Sequence, residues 1–569
     1  MKILHSGPLS VAYQNGFLRR ISHGDTEVIR MIYFALRDEN WNTFTHQVDN
    51  ENISVKDNRF TITYDSFNLD GGVSIMEWKA RIDGYPDGSI VFDISGVATE
   101  SLKKNRAGFC VLHPLNVIGQ QCRVIHPEGP ETRHTFPAEI AADNPITEIR
   151  SMEWNAGGNS YNLSFEGDIF ETEDQRNWGD ASFKTFCTPL RKPIPVAMKK
   201  GEKVHQRITF TPSATLNPAA NPSQPIALRD AGNRRILPSL GLAASVGNRM
   251  NEKAVALIRS LRSNHYRIDL SPGSENFAVD FSNAYETAFA VGQALEVALH
   301  LTENFAEEME AFEVISRQNK VRIKKALLLP TNGLVTSQAI IDRLHLLKSA
   351  FPQVLFGAGT NYNFNEINKN RFTATNVDFI SFSMNPQEHA FDDLTTLENA
   401  ASLEHLVKSA KSIYGFEMPI HISPLTLRKR SNPYATNPAD LFIDDRKKAD
   451  PRQKEQFTAL WTFTSIVSAT QGGASAMTFF QTTGEQGIVS ADGEPYPVYH
   501  VLEQLTPYQG KSVTILESRD PLSICGMILD GRLLGVANLA DEEKKVNWND
   551  YAFELEPKEI RFIPLNRAQ

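Results

Sequence analysis

Between residues 236 and 490, eight short apolar runs recur, with amphipathic helical segments between most of them and a polar loop after the fifth. The apolar runs are Ile236–Val246, Tyr266–Leu270, Glu296–Leu301, Val321–Leu329, Gln353–Ala358, Val377–Met384, Pro419–Ser423 and Ala476–Phe480. Helical spacing recurs between them, as in Asn251–Arg262, Asn283–Leu295, Phe305–Gln318, Ser337–Ala350, Ala400–Tyr414 and Pro451–Ala469. Strand–helix alternation forces parallel pairing, because each helix carries the chain back to the start of the next strand. Eight units over roughly 250 residues predict a closed β/α barrel. The competing open, doubly wound sheet fits less well, since no Gly-rich phosphate loop follows the first strand.

The flanks have a different period. Residues 1–228 alternate every second position, as in Ser54–Tyr64 and Gly88–Val97, and are punctuated by Asp-Gly and Gly-Gly turns. They predict an N-terminal β-sandwich, closed by a linker around Pro212, Pro218, Pro222 and Pro225. Short strands at Ser512–Glu517, Leu522–Leu529, Leu533–Ala537 and Glu559–Pro564 predict a small C-terminal β domain. The expected domains are therefore 1–228, 229–490 and 491–569.

Composition narrows the function. Of 569 residues, 41% are hydrophobic and 22% charged, with a net charge of −9, which suits a globular chain and gives no electrostatic footprint for nucleic acid. No apolar stretch has the length of a membrane span, and the N-terminus carries no readable secretion signal. Four scattered cysteines form neither a disulfide framework nor a CxxC spacing. The expectation is a cytoplasmic enzyme without membrane or nucleic-acid partners.

In such a barrel, chemistry sits at the C-terminal ends of the strands. The candidates there are Gly247-Asn248-Arg249; Asp269; His300 and Glu303; Thr331 and Asn332; Asn361, Asn363 and Asn365; Asn385, Glu388 and His389; His421; and Gln481 and Glu485. Amides, hydroxyls, carboxylates and imidazoles beside Tyr362, Phe382, Trp461 and Phe480 suit a small hydroxylated substrate. Bland roles compete. A carboxylate at the position of Glu303 is more often a helix-start group than a base, His421 reads first as a core histidine, and the asparagines could be turn formers. Asp392-Asp393 would either orient His389 or start a helix. No His-His-carboxylate spacing occurs, so neither a metal nor a cofactor is expected, although His300, His389 and His421 on three strands would make a zinc site if they converged. Phe165–Leu190 packs six acids, two bases, Trp178 and four phenylalanines together. It reads either as a charged domain edge or as a segment, Glu173–Trp178, that reaches the barrel mouth. In the second case Arg176 would grip a carboxylate and Asn177 would join the site.

Several of these stretches resemble bacterial D-apionate lactonases. They are Asn105–Pro114, Glu173-Asp174-Gln175-Arg176-Asn177-Trp178 within Phe165–Leu190, Gly359-Thr360-Asn361, Asn385–Asp392, Ser423–Leu427 and Asp450-Pro451-Arg452-Gln453, in that family's order. The resemblance implies a sandwich, a barrel and a C-terminal β domain, and an enzyme that opens D-apionolactone to D-apionate in apiose breakdown. It also implies the pattern Glu-Thr-x-Gly-Trp-Arg-Gly at the end of strand eight, where this chain reads Gln481-Thr482-Thr483-Gly484-Glu485-Gln486-Gly487. If the family's Glu is catalytic, either Glu485 is the substitute carboxylate or this chain is altered in activity or substrate.

Lactone hydrolysis needs a base for water, donors for the oxyanion and an acid for the ring oxygen. The expected catalytic residues are Glu303, His389 and Glu485. The expected substrate contacts are Arg176, Asn177, Asp269, Asn361, Asn385, His421 and Gln481. No GxSxG elbow is present, so direct attack by water is expected. Two alternatives stay open. A glycoside hydrolase needs two carboxylates about 5–10 Å apart, which strands four and seven do not supply. A non-catalytic sugar-binding barrel would be stabilised by its ligand without turnover.

Overall fold

The computed structural model describes residues 1–213, 216, 225–245, 250–318, 323–435 and 448–565. Gly247-Asn248-Arg249, Pro218 and Pro222 lie outside the described residues. The chain divides into two compact units. One comprises Met1–Arg176, Ala181–Ser223 and Tyr434–Pro438; the other comprises Asn177–Asp180, Gln224–Pro433 and Ala439–Gln569.

The first unit is a sandwich of two nine-stranded antiparallel sheets. The alternation in Arg59–Asp70 is visible in its burial, with Phe60, Ile62, Tyr64, Ser66 and Asn68 turned in and their neighbours out. Aromatic side chains lock the layers together: Phe34 and Phe109 from one sheet meet Trp78 and Phe92 from the other at ring separations of 5.0–6.3 Å.

The second unit contains the barrel. Its strands are Ser239–Ala243, His265–Leu270, Ala294–Leu301, Ile323–Pro330, Leu355–Gly359, Phe379–Met384, Ile420–Leu425 and Ala476–Thr483, all parallel. Strand one pairs with strand eight from Ser239↔Ala476 onward, which closes the ring. Strand eight outruns its expected end at Phe480. Its register slips between Leu242↔Phe479 and Ala243↔Gln481, so Phe480, at φ 40°, is an extra residue in a bulge and Gln481 lies within the strand. Gly359 ends strand five at φ 150°, where a Cβ would sit 1.8 Å from the Ser381 carbonyl oxygen. Only glycine lets strands five and six approach that closely.

The barrel interior is more polar than eight apolar runs suggested. His265 bonds Thr478 (2.8 Å), Arg267 donates to Ser423 (2.8 Å), and Lys325 stands 3.4 Å from Glu296. Burial would raise the Glu296 carboxyl, but His265 and Lys325 outweigh it and pull it down to about 2.

The boundary expected at residue 229 falls inside a strand. Ile226–Ile236 pairs with Ser512–Ser518 and Lys544–Trp548 in the middle of a seven-stranded C-terminal sheet. The run Asn233-Arg234-Arg235 interrupts the apolar pattern of this strand, which hides it in the sequence. Helix Gln456–Gly472 is buried on nearly every side, as a helix between two layers must be. Its Trp461 meets Phe480 of the barrel at 6.0 Å, and its Phe463 meets Phe562 of the C-terminal sheet at 5.9 Å. Among the described residues, no helix is long and apolar enough to cross a membrane.

Candidate active site

The end of strand two brings Asp269 to the barrel mouth, and three neighbouring elements converge on it. Its Oδ1 accepts from Asn361 Nδ2 (2.8 Å), His300 Nε2 (3.0 Å) and Arg267 Nη2 (3.1 Å). Arg430, in the loop after strand seven, reaches Asn361 Oδ1 (3.1 Å) and Asp269 Oδ2 (3.5 Å). Arg267 Nη2 also donates to Asn361 Oδ1 (2.7 Å). Burial would raise the Asp269 carboxyl, but Arg267, Arg430 and His300 overcome it and hold it well below the usual carboxylate range. His300 gives Nε2 to Asp269, and its Nδ1 has no partner among the described residues. A carboxylate on one ring nitrogen fixes the tautomer and leaves the other as an acceptor.

A cavity of about 730 Å³ opens beside this cluster, lined by Arg267, Asp269, Arg430, Phe480, Gln481 and Gln486 among others. Its size and few convergent polar groups suit a small ligand.

The loop after strand six adds a second polar group. Glu388 Oε1 accepts from Asn385 Nδ2 (2.7 Å) and Asn363 Nδ2 (2.9 Å), and its other oxygen has no partner among the described residues. His389 Nδ1 lies 2.6 Å from Asp180 Oδ2, and Trp178 meets the imidazole edge-on at 6.2 Å. The loop is braced from below. Gln387 Nε2 donates to Asp450 Oδ2 and to the Leu427 carbonyl, both at 2.7 Å, and Arg452 clasps the same aspartate. Thus Asp450–Gln453 and Ser423–Leu427 support the segment that presents Glu388 and His389.

The expected residues divide accordingly. Asp269 and Asn361 meet in one cluster, and Asn385 anchors Glu388. Gln481 lines the cavity. Asn177 is buried and accepts from Asn368 (2.9 Å). Glu303 is exposed; the carboxylate that caps the turn after strand three is the buried Glu308, bonded to the Thr302 amide and hydroxyl at 2.7 Å each. Glu485 is also exposed, and adds to the burial that raises the Tyr496 hydroxyl. Arg176 is fully buried in the first unit, with its fork taken by Asp174 (2.7 and 2.8 Å) and the Pro137 and Ala138 carbonyls. His421 stacks on Phe379 at 4.1 Å near the start of strand seven, and burial first, then Lys325, keeps it neutral far below its usual range. The three histidines diverge, to Asp269, Asp180 and Phe379, and among the described residues no group of three potential metal ligands forms. Asp392 caps helix Asp393–Asn399, so Asp180 takes the place beside His389.

Sequence reasoning missed Arg267, Arg430 and Asp180. A charge inside Tyr266-Arg267-Ile268-Asp269-Leu270 was a signal for Arg267, because a strand buried on both faces carries a charge only if it is paired. Nothing local marked Asp180.

A closed barrel with a hydrogen-bonded charged rim over a polar cavity defines a β/α-barrel enzyme for a small polar substrate. Residues 1–215 match the family model of the D-apionate lactonase N-terminal domain, and residues 240–510 match that of the D-apionate lactonase TIM barrel domain. The chain belongs to the D-apionate lactonase family. It is 27% identical over 547 residues to a D-apionate lactonase of Brucella anthropi, covering 91% of this chain and 89% of that one. It is accordingly a lactonase, a hydrolase of a cyclic ester. Similar solved structures include a GH30 endoxylanase from Clostridium papyrosolvens (10% identity, TM-score 0.40, 59% of this chain and 98% of that one). A family 51 α-L-arabinofuranosidase from Bifidobacterium longum is also similar (10%, 0.41, 60% and 96%).

Proposed function

We propose that this lactonase opens D-apionolactone, or a related aldonolactone, to the sugar acid in apiose catabolism. The observation that carries the reading is the Asp269–His300 pair at 3.0 Å, bonded to Asn361 and Arg430 beside a cavity of about 730 Å³. Asp269 holds Nε2–H of His300, and Nδ1 takes the proton of the attacking water. Arg430 supplies positive charge for the oxyanion. Asn361 keeps Asp269 and the two arginines in register. Gln481 and Gln486 suit ring hydroxyls, since an amide both donates and accepts. The four cysteines are unpaired, which fits a reducing compartment, and we place the reaction in the cytoplasm.

The test is purified protein on D-apionolactone, a panel of aldonolactones and 4-nitrophenyl glycosides, with acid release followed by pH-stat. Hydrolysis fastest on five-membered sugar lactones is expected. Glycoside cleavage, or thermal stabilisation by lactones without acid release, would overturn the reading.

A further inference from the structure

The second unit includes four residues, Asn177–Asp180, whose chain neighbours on both sides belong to the first unit. They are held firmly. Asn368 donates to Asn177 (2.9 Å), Ser402 donates to the Gly179 carbonyl (2.8 Å), and a Cβ at Gly179 would stand 3.1 Å from the Asn385 carbonyl oxygen. The peptide delivers one carboxylate, Asp180, to the loop after strand six. Asp180 is 4% exposed. Its Oδ1 accepts from Asn399 (3.1 Å) and its Oδ2 lies 2.6 Å from His389 Nδ1. Asn399 is itself tied to the Pro386 carbonyl at 2.9 Å. His389 is half-buried, its Nε2 has no partner among the described residues, and its neighbour Glu388 is fixed by Asn363 and Asn385. Burying a carboxylate costs stability unless it is well paired. Here the pairing fixes the plane of one rim imidazole, and in the doubly protonated ring Asp180 holds Nδ1–H and leaves Nε2–H as the outward donor.

We infer that Asp180 is a positioning residue for ring opening, acting through His389, whose Nε2 hands a proton to the departing ring oxygen. The inference rests on the lactonase reading above. As water's oxygen bonds to the carbonyl carbon, its proton passes to His300. As the ring C–O bond breaks, its electron pair stays on the ring oxygen, which takes the Nε2 proton of the His389 imidazolium and leaves a neutral ring with Nδ1–H on Asp180. His389 regains a proton from solvent and His300 returns one to it, so the net change is one water added.

The experiment is a double-mutant cycle on D-apionolactone with Asp180→Asn, His389→Gln and the pair. An aspartate that acts only through His389 gives non-additive losses. Each single variant should lower kcat about 100-fold with KM changed less than about threefold, and the double variant should be no slower than His389→Gln. Multiplied losses, or an Asp180→Asn enzyme with wild-type kcat and only a lower melting temperature, would overturn the inference. Should Asp180→Asn fail to fold, Asn399→Ala replaces it: a loss of about tenfold that vanishes in the His389→Gln background supports the inference, and an unchanged kcat overturns it. A wild type inert on every lactone would instead overturn the lactonase reading, and the inference with it.

Discussion

Asn361 Nδ2 donates to Asp269 Oδ1 at 2.8 Å, joining the loop after strand five to the end of strand two. The same amide accepts from Arg267 and Arg430 through its oxygen, so one side chain holds an acid and two bases in register. Asn361→Ala should lower kcat/KM by about 10–100-fold, in line with the loss of a supporting group that orients an active residue. Asp269→Asn removes the charge that Arg267, Arg430, His300 and Asn361 face, and should lower both stability and activity. Steady-state kinetics and urea unfolding check the two effects separately.

The proposed mechanism gives the water-activating role to His300. His300→Gln should reduce kcat by about 10²–10⁴-fold with little change in KM, the range for a lost general base. Glu303 lies three residues on but faces solvent, so Glu303→Gln should change kcat by less than about threefold. The reverse pattern would move the base to Glu303.

The barrel was legible because its helices and strands obey two simple periods, and each expected strand has an observed counterpart. The rim was legible as a set of positions, because strand ends follow from strand spans. Which rim side chains meet was not. Asp269 and Asn361 are 92 positions apart, and Asp180 and His389 are 209 apart, so only folding joins them. Arg176 misled because charge density alone does not distinguish a ligand fork from a buried pin. The bulge at Phe480 was invisible because its extra residue leaves an uninterrupted apolar run.

Acid should loosen the barrel before it reaches the carboxylates. Burial, above all, lowers His265 to about 4, against about 6.5 in an unfolded chain. Between those values the unfolded state binds a proton that the folded state refuses. Stability present above pH 6.5 is therefore lost as pH falls toward 4, by about 1.4 kcal/mol per pH unit for this one group. His421 is lowered by the same cause and adds to the slope. Glu296, pulled down to about 2, loses its contribution lower, as pH falls from about 4.5 toward 2. Urea unfolding at pH 7, 6 and 5 should show falling stability, and His265→Asn should flatten the slope by about one proton. A stability independent of pH over this range would contradict a neutral, buried His265.

Gln481 is the position where resemblance and geometry make different demands. The family resemblance implies a carboxylate there, whereas the proposed mechanism uses the hydrogen-bonded Asp269–His300 pair at the ends of strands two and three. Gln481 follows the bulged Phe480 and lines the cavity together with Arg430 and Lys448. Two cations lining the same cavity would favour the ionised form of a new carboxylate. Gln481→Glu should then leave kcat unchanged or lower it by up to about tenfold, because the proton is already carried by His300 and an added acceptor draws Arg430 away from the oxyanion. Affinity for the anionic product should fall, since a second negative charge faces it across the cavity, and product inhibition measures that directly. A rise in kcat of tenfold or more would assign the base to position 481 and leave His300 as an orienting group. His300→Gln in the Gln481→Glu background decides between these outcomes: activity lost a second time keeps the proton on His300, and activity retained moves it to strand eight.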